Sequence, residues 1–194
     1  MIAAAATGYL MGTVPSADVA ARMATKGATD MRRAGTGNPG AANVAAVLGK
    51  RWGYGVLVAD IGKGAAASFA GRRIAGDIGA HVGGTAAVVG HCFPVWKRFK
   101  GGKGAAASSG QCLATFPAYF PADLAVAYAV AKWRQRPLPA TVVASTAWVG
   151  ACVLSWRRGW RNAWGPTPSA ALPVAAAISS SVILYRFWAA RAPR

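Results

Sequence analysis

The chain has 194 residues, enough for one domain spanning 1–194, and carries a formal charge of +17. Its 54% apolar and 14% charged composition, against about 25% charged residues in soluble domains, excludes an ordinary soluble fold. Nucleic acid is excluded as the partner of that charge, because the bases lie between long apolar runs instead of along one stripe; membrane lipids and phosphorylated substrates fit better.

A helix needs about 20 mainly apolar residues to cross a hydrocarbon core of roughly 30 Å. In chain order the candidate spans are 2–21, 53–71, 78–96, 104–116, 118–133, 138–156 and 170–189. The expected fold class is therefore all-α, a polytopic membrane helical bundle of about seven transmembrane helices. Pro117 and Pro121 leave six as the alternative, with the fourth and fifth spans joined as one broken helix. No positive stretch precedes the first span, so it reads as a retained helix and not a cleaved signal.

Of the 22 Lys and Arg, sixteen fall on the side holding 22–51, 97–103, 132–136 and 186–194; five fall on the other side, and Lys63 lies within a span. That bias puts the first side in the cytoplasm. The run Trp156-Arg157-Arg158-Gly159-Trp160-Arg161 fits the opposite side poorly. Abundant alanine and glycine in the spans predict closely approaching helix backbones.

Asp60 and Lys63, three apart inside the second span, read either as a structural ion pair or as a wall of the active site. His91, beside Phe93-Pro94, reads first as a structural histidine bonded to a backbone carbonyl and second as a general base; His81 reads as interfacial. Cys92, Cys112 and Cys152 lack ligand spacing and read as small buried thiols, and no metal or cofactor is expected.

Two glycine-rich cationic loops carry the chemistry: Gly35-Thr36-Gly37-Asn38-Pro39-Gly40-Ala41-Ala42-Asn43 and Lys100-Gly101-Gly102-Lys103-Gly104. Glycine lets successive N–H groups converge on one anion, and lysine adds full charge. Together they predict a phosphate site at a bilayer surface.

With Gly12-Thr13-Val14-Pro15-Ser16, Asp30-Met31-Arg32, Asp60-Ile61-Gly62-Lys63-Gly64 and Gly90-His91-Cys92-Phe93-Pro94, these loops follow one another in register over about residues 8–110. The order resembles the bacterial membrane acyl-phosphate:glycerol-3-phosphate acyltransferases of the PlsY type. The resemblance implies a seven-helix inner-membrane protein with its active site facing the cytoplasm. It implies transfer of an acyl chain from acyl-phosphate to the 1-hydroxyl of sn-glycerol 3-phosphate, yielding lysophosphatidic acid. An upstream acyl-phosphate-forming enzyme is the implied partner.

By position, Lys103, Thr36 (where the family has serine) and Asn38 are the implied catalytic residues. Gly37, Gly40, Ala41, Ala42, Asn43, Gly101, Gly102 and Gly104 are the implied phosphate cradle, with His91, Asp60 and Lys63 supporting. Two departures stand out. The family's Thr-Asn-x-x-Arg is here Ala42, Asn43 and Ala46, so a hydroxyl and an arginine are missing; Lys50 would restore some charge if the helix continues through Gly49. Tyr185-Arg186 is followed by Phe187 and Trp188, leaving the family's C-terminal histidine and asparagine without counterparts. A catalytically degenerate homologue that binds phosphorylated lipid precursors or a partner enzyme is the alternative; a small anion or lipid transporter ranks last, since no internal repeat is evident.

Overall fold

Small residues recur along the helices of the computed structural model, which describes residues 1–132 and 137–190, and they set how closely those helices pack. The elements are α1 (Ile2–Gly12), α2 (Ser16–Thr25), α3 (Ala41–Leu48), α4 (Lys50–Cys92), a 3-10 turn (Val95–Lys97), α5 (Ala105–Thr115), α6 (Phe120–Lys132), α7 (Pro137–Arg158) and α8 (Ala171–Ala189). There is no strand among the described residues. Helix α4 is broken at Ala75 and Gly76, whose φ/ψ of −144°/28° and 65°/−159° turn the chain back on itself. Its two limbs, 50–74 and 77–92, form an antiparallel hairpin in which Gly71 meets Gly79 and Ala67 meets Gly83.

Helix α1 runs beside the second limb, where a Cβ on Gly8 would overlap the carbonyl of Gly83. Helix α5 runs in the same direction as the first limb and packs on it through Gly110 against Ile61 and Gly64 against Ala107. Helix α8 joins through Ile183, which packs in one cluster with Val88, Cys92 and Ala107. A buried amide must find partners in such a setting. Gln111 donates Nε2 to Thr85 Oγ1 at 3.0 Å and accepts from Ser179 Oγ at 2.7 Å, tying α4, α5 and α8 together.

Three helical stretches, 50–97 (which contains the break), 138–158 and 171–189, are long and apolar enough to cross a membrane. The protein is an all-helical, multi-pass membrane bundle. Individual spans depart from expectation. The first is not one helix over 2–21: the chain breaks at Thr13–Pro15, and α2 leaves α1 as a separate helix that buries Ala17, Ala20 and Ala21 against Met31, Val44 and Val56. Proline lacks the N–H that would continue α1. Helices α5 and α6 are short, 11 and 13 residues, and a turn at 116–119 separates them. His81 is buried, not interfacial. The cysteines are buried free thiols.

Both glycine loops emerge at one end of the bundle, called here the near end. The far end holds the α4 break and a loop at 159–167. There Asn162 donates to the carbonyls of Thr115 and Pro166 at 2.7 and 2.8 Å, and Arg72 bonds Asp77 and the Trp164 carbonyl at 2.9 and 2.7 Å. The tryptophan- and arginine-rich run at 156–161 thus ends α7 and leads into this cap. Of the bases used to orient the chain, Arg134, Arg136, Arg191 and Arg194 lie outside the described residues.

Overpacking a tight helix contact costs about 1–3 kcal/mol. Gly8→Leu is accordingly expected to lower the thermal unfolding midpoint of detergent-purified protein, and an unchanged midpoint would contradict the α1–α4 contact.

Candidate active site

The first loop is built around Asn43. Its side chain is 3% exposed; Oδ1 accepts the Thr36 N–H at 2.8 Å, and Nδ2 donates to the Ala34 and Met31 carbonyls at 3.0 and 3.3 Å. Asn43 is therefore an internal clamp, and the phosphate contact expected of it is replaced by these three bonds. The clamp leaves Thr36 exposed and Asn38 and Gly37 half-buried. Gly40 caps α3, and the first intrahelical bond runs from Val44 N to Gly40 O. The amides of Ala41 and Ala42 have no intrahelical acceptor.

The second loop is sewn onto the end of α4. Gly101 N–H donates to Cys92 O and Gly102 N–H to His91 O, each at 3.1 Å. The cradle expected from those two amides is corrected accordingly, because both donors are already spent. What remains at this loop is the N-terminus of α5, whose first intrahelical bond is Ser108 N to Gly104 O. Gly102 packs directly on the His91 ring, where any Cβ would strike Nε2. From α8, Arg186 donates Nη2 to Gly101 O at 2.6 Å and Nε to Gly102 O at 3.1 Å, with its guanidinium 5.3 Å from the Phe93 ring centroid.

The second loop meets the segment leading into the first: Arg32, three residues before Gly35, donates Nε to the Lys100 carbonyl at 3.0 Å. Between them lies a cleft lined by Thr13–Asp18, Arg32, Pro39, Asp60, Lys63, His91 and Gly101–Gly102, among others. Asp60 and Lys63 are both an ion pair and a wall of this cleft. Lys63 Nζ lies 2.8 Å from Asp60 Oδ1 and donates to Val14 O at 2.9 Å. His91 Nδ1 is 3.5 Å from the same carboxylate oxygen, so its partner is Asp60 and not the backbone carbonyl expected.

Lys103 is turned toward α8, with Nζ 4.4 Å from the Phe187 ring centroid. Burial, reinforced by the charge of Arg186, lowers its amine below the ordinary lysine value. Lys50 is exposed at the start of α4. Gly49 (φ 96°, ψ 160°) ends α3, and Gly53 packs back on Ala45 and Ala41, so Lys50 does not extend the helix bearing Ala46. It adjoins the C-terminus of α3, about 12 Å along the axis from Gly40.

Asp18, Arg32, Lys97 and Arg186 had no place in the sequence-based site. Asp18 Oδ1 lies 2.6 Å from Arg32 Nη1 and Oδ2 2.8 Å from Lys97 Nζ. Burial alone would raise its carboxyl, but the bonds from Lys97 and Arg32 outweigh that and hold it below the usual carboxylate range. The available signal was compositional: acids number only five, so one beside basic loops invites pairing.

A family model described as glycerol-3-phosphate acyltransferase matches residues 2–192. A glycerol-3-phosphate acyltransferase of Jannaschia sp. (strain CCS1) is 41% identical over 147 residues, covering 75% of this chain and 71% of that protein. One from Exiguobacterium sibiricum is 44% identical over 113 residues, covering 58% of this chain and 54% of its relative, about half the relative's length. Among solved structures, the glycerol 3-phosphate form of PlsY (YgiH), an integral membrane glycerol 3-phosphate acyltransferase, superposes with a TM-score of 0.77 at 27% identity, covering 97% of this chain and 88% of that one. Its lysophosphatidic acid form gives 0.76 at 28%, covering 95% and 86%.

Removing a buried hydrogen-bond partner strands the groups it satisfied, at about 1–3 kcal/mol. Asn43→Ala is expected to accelerate amide hydrogen exchange across 31–43 while leaving exchange in α7 and α8 unchanged; unaltered protection in the loop would refute the clamp.

Proposed function

The chain belongs to the glycerol-3-phosphate acyltransferase family, and from that premise we propose that it transfers a fatty acyl group from acyl-phosphate to the 1-hydroxyl of sn-glycerol 3-phosphate, releasing lysophosphatidic acid and inorganic phosphate. The observation that carries this reading is the meeting of both glycine loops on one cleft walled by Arg32 and Lys63. The spared amides at the starts of α3 and α5 add donors for anionic oxygens. Thr36 and Asn38 flank the first of these termini in the sequence, and Lys103 precedes the second.

Acyl-phosphate is a mixed anhydride, so its carbonyl is already activated and its leaving group is stable. The glycerol hydroxyl attacks that carbonyl, a new C–O ester bond forms, and the bond to the phosphate oxygen breaks. The hydroxyl proton leaves on the departing phosphate. No protein nucleophile is needed, which suits a chain whose three thiols are buried. The protein's task is to hold two anions together and orient them. Lys103 and the α5 amides seat one phosphate; the α3 terminus with Thr36 and Asn38 seats the other. His91 and Asp60 shape the wall between them.

The near end faces the cytoplasm of a bacterial inner membrane in this reading, supported by the excess of Lys and Arg there. An enzyme that forms acyl-phosphate would supply the donor.

The assay combines purified protein in lipid nanodiscs, acyl-phosphate and labelled glycerol 3-phosphate. Lysophosphatidic acid is the expected product, and Lys103→Ala is expected to lower kcat/KM about 10- to 100-fold, the worth of a charge-assisted hydrogen bond. Absence of product from the unmodified protein would refute the reading. Lys50→Ala is expected to leave the dependence on glycerol 3-phosphate unchanged. The cationic amine binds phosphate, so affinity is lost as pH rises through the lowered Lys103 value. KM for glycerol 3-phosphate is expected to climb at a pH where an ordinary lysine is still charged, and Lys103→Arg to move that rise upward.

A further inference from the structure

The geometry points to Asp18 as a positioning residue that locks the two glycine loops in register and thereby sets the affinity for the phosphorylated acceptor. The inference rests on the acyltransferase reading above and names a residue outside the loops themselves. Asp18 belongs to the first turn of α2, between the two cationic segments. One oxygen takes Arg32 from the first segment at 2.6 Å, and the other takes Lys97, just before the second, at 2.8 Å. Arg32, so held, donates Nε to the Lys100 carbonyl at 3.0 Å. Its own backbone N–H bonds Asp30 Oδ1 at 2.9 Å, fixing the base of the side chain. One carboxylate thus closes a circuit joining α2, the segment that leads into the first loop, the 3-10 turn and the second loop.

Both oxygens are engaged, and the two cations they hold would repel each other across the same gap without them. Amide in place of carboxylate keeps the shape and removes the charge. Arg32 then loses the partner that aims its Nε at Lys100, and the two segments lose their direct link. Asp18 and Arg32 both line the cleft, so the loosening occurs where the head group binds. The tie acts on binding geometry and not on the reacting carbonyl. KM for glycerol 3-phosphate responds to its loss, and kcat responds far less.

Two measurements on the full chain test this. In the first, steady-state kinetics compare the unmodified protein with Asp18→Asn and Asp18→Glu. KM for glycerol 3-phosphate is expected to rise roughly tenfold in Asp18→Asn with kcat within about threefold, and to recover in Asp18→Glu, as the loss and return of one charged bond requires. An unchanged KM overturns the inference, and a lower one also does, because it would make Asp18 a competitor of the phosphate. In the second, spin labels on Arg33→Cys and Arg98→Cys report the distance between the segments; both positions are exposed, whereas the native thiols are buried. A narrow distribution is expected with Asp18 and a broad one with Asp18→Asn. An equally narrow distribution in both overturns the tie without reference to turnover. If the unmodified protein makes no lysophosphatidic acid, the acyltransferase reading fails alone, and the spin-label distances still decide the role of Asp18.

Discussion

Backbone-on-backbone packing between helices is the constraint on which the rest of this structure depends. In a bilayer, apolar side chains gain little by leaving lipid for protein, so helix association relies on close van der Waals approach. Helix α1, both limbs of α4 and α5 meet through glycines and alanines, with no side chain between several pairs of turns. That contact aligns the ends of α1 and the second α4 limb with the starts of α5 and the first limb. The segments issuing from those ends then share a small space. The cleft is a consequence of how the helices touch below it.

A second regularity is how the chain spends its few acids. There are five aspartates against 22 basic residues, and among the described residues four of the five are ion-paired. Asp18 holds Arg32 and Lys97, Asp60 holds Lys63 with His91 nearby, and Asp77 holds Arg72 at the opposite end. Asp18 and Asp77 join separate segments, whereas the Asp60–Lys63 pair lies within one limb of α4. Isolated surface pairs contribute little. The pair at Asp60 is different, because its side chains are only 3% and 8% exposed, and an unpaired charge there would be costly. The remaining basic residues make up the net positive charge.

Hydropathy alone located α7 and α8 closely, because both are long apolar runs ended by turn residues. It merged α1 and α2, since averaging over 20 residues hid the break before Ser16 although Pro15 and Asp18 were visible. The two glycine loops were legible as loops. That they meet follows from their shared anion chemistry; the bond that joins their segments, Arg32 to Lys100, does not, because it spans 68 positions and no local pattern records it. Glycine content also says nothing about whether an N–H is free. Gly101 and Gly102 donate to the carbonyls left over at the end of α4, which only the fold reveals. The case of Lys50 turned on one dihedral: Gly49 at φ 96° sends the chain back along α3, so a lysine four positions after Ala46 never shares its face.

The stitching of Gly101 and Gly102 to the last carbonyls of α4, with Arg186 strapped across them, has a mechanical consequence. That side of the cleft is continuous with the end of the helix hairpin. The opposite side hangs from α2 and α3, short helices joined to the bundle through Pro15 and Gly49. The two sides of the cleft are built differently: one continues the hairpin, and the other is held to it by the Asp18–Lys97 and Arg32–Lys100 contacts.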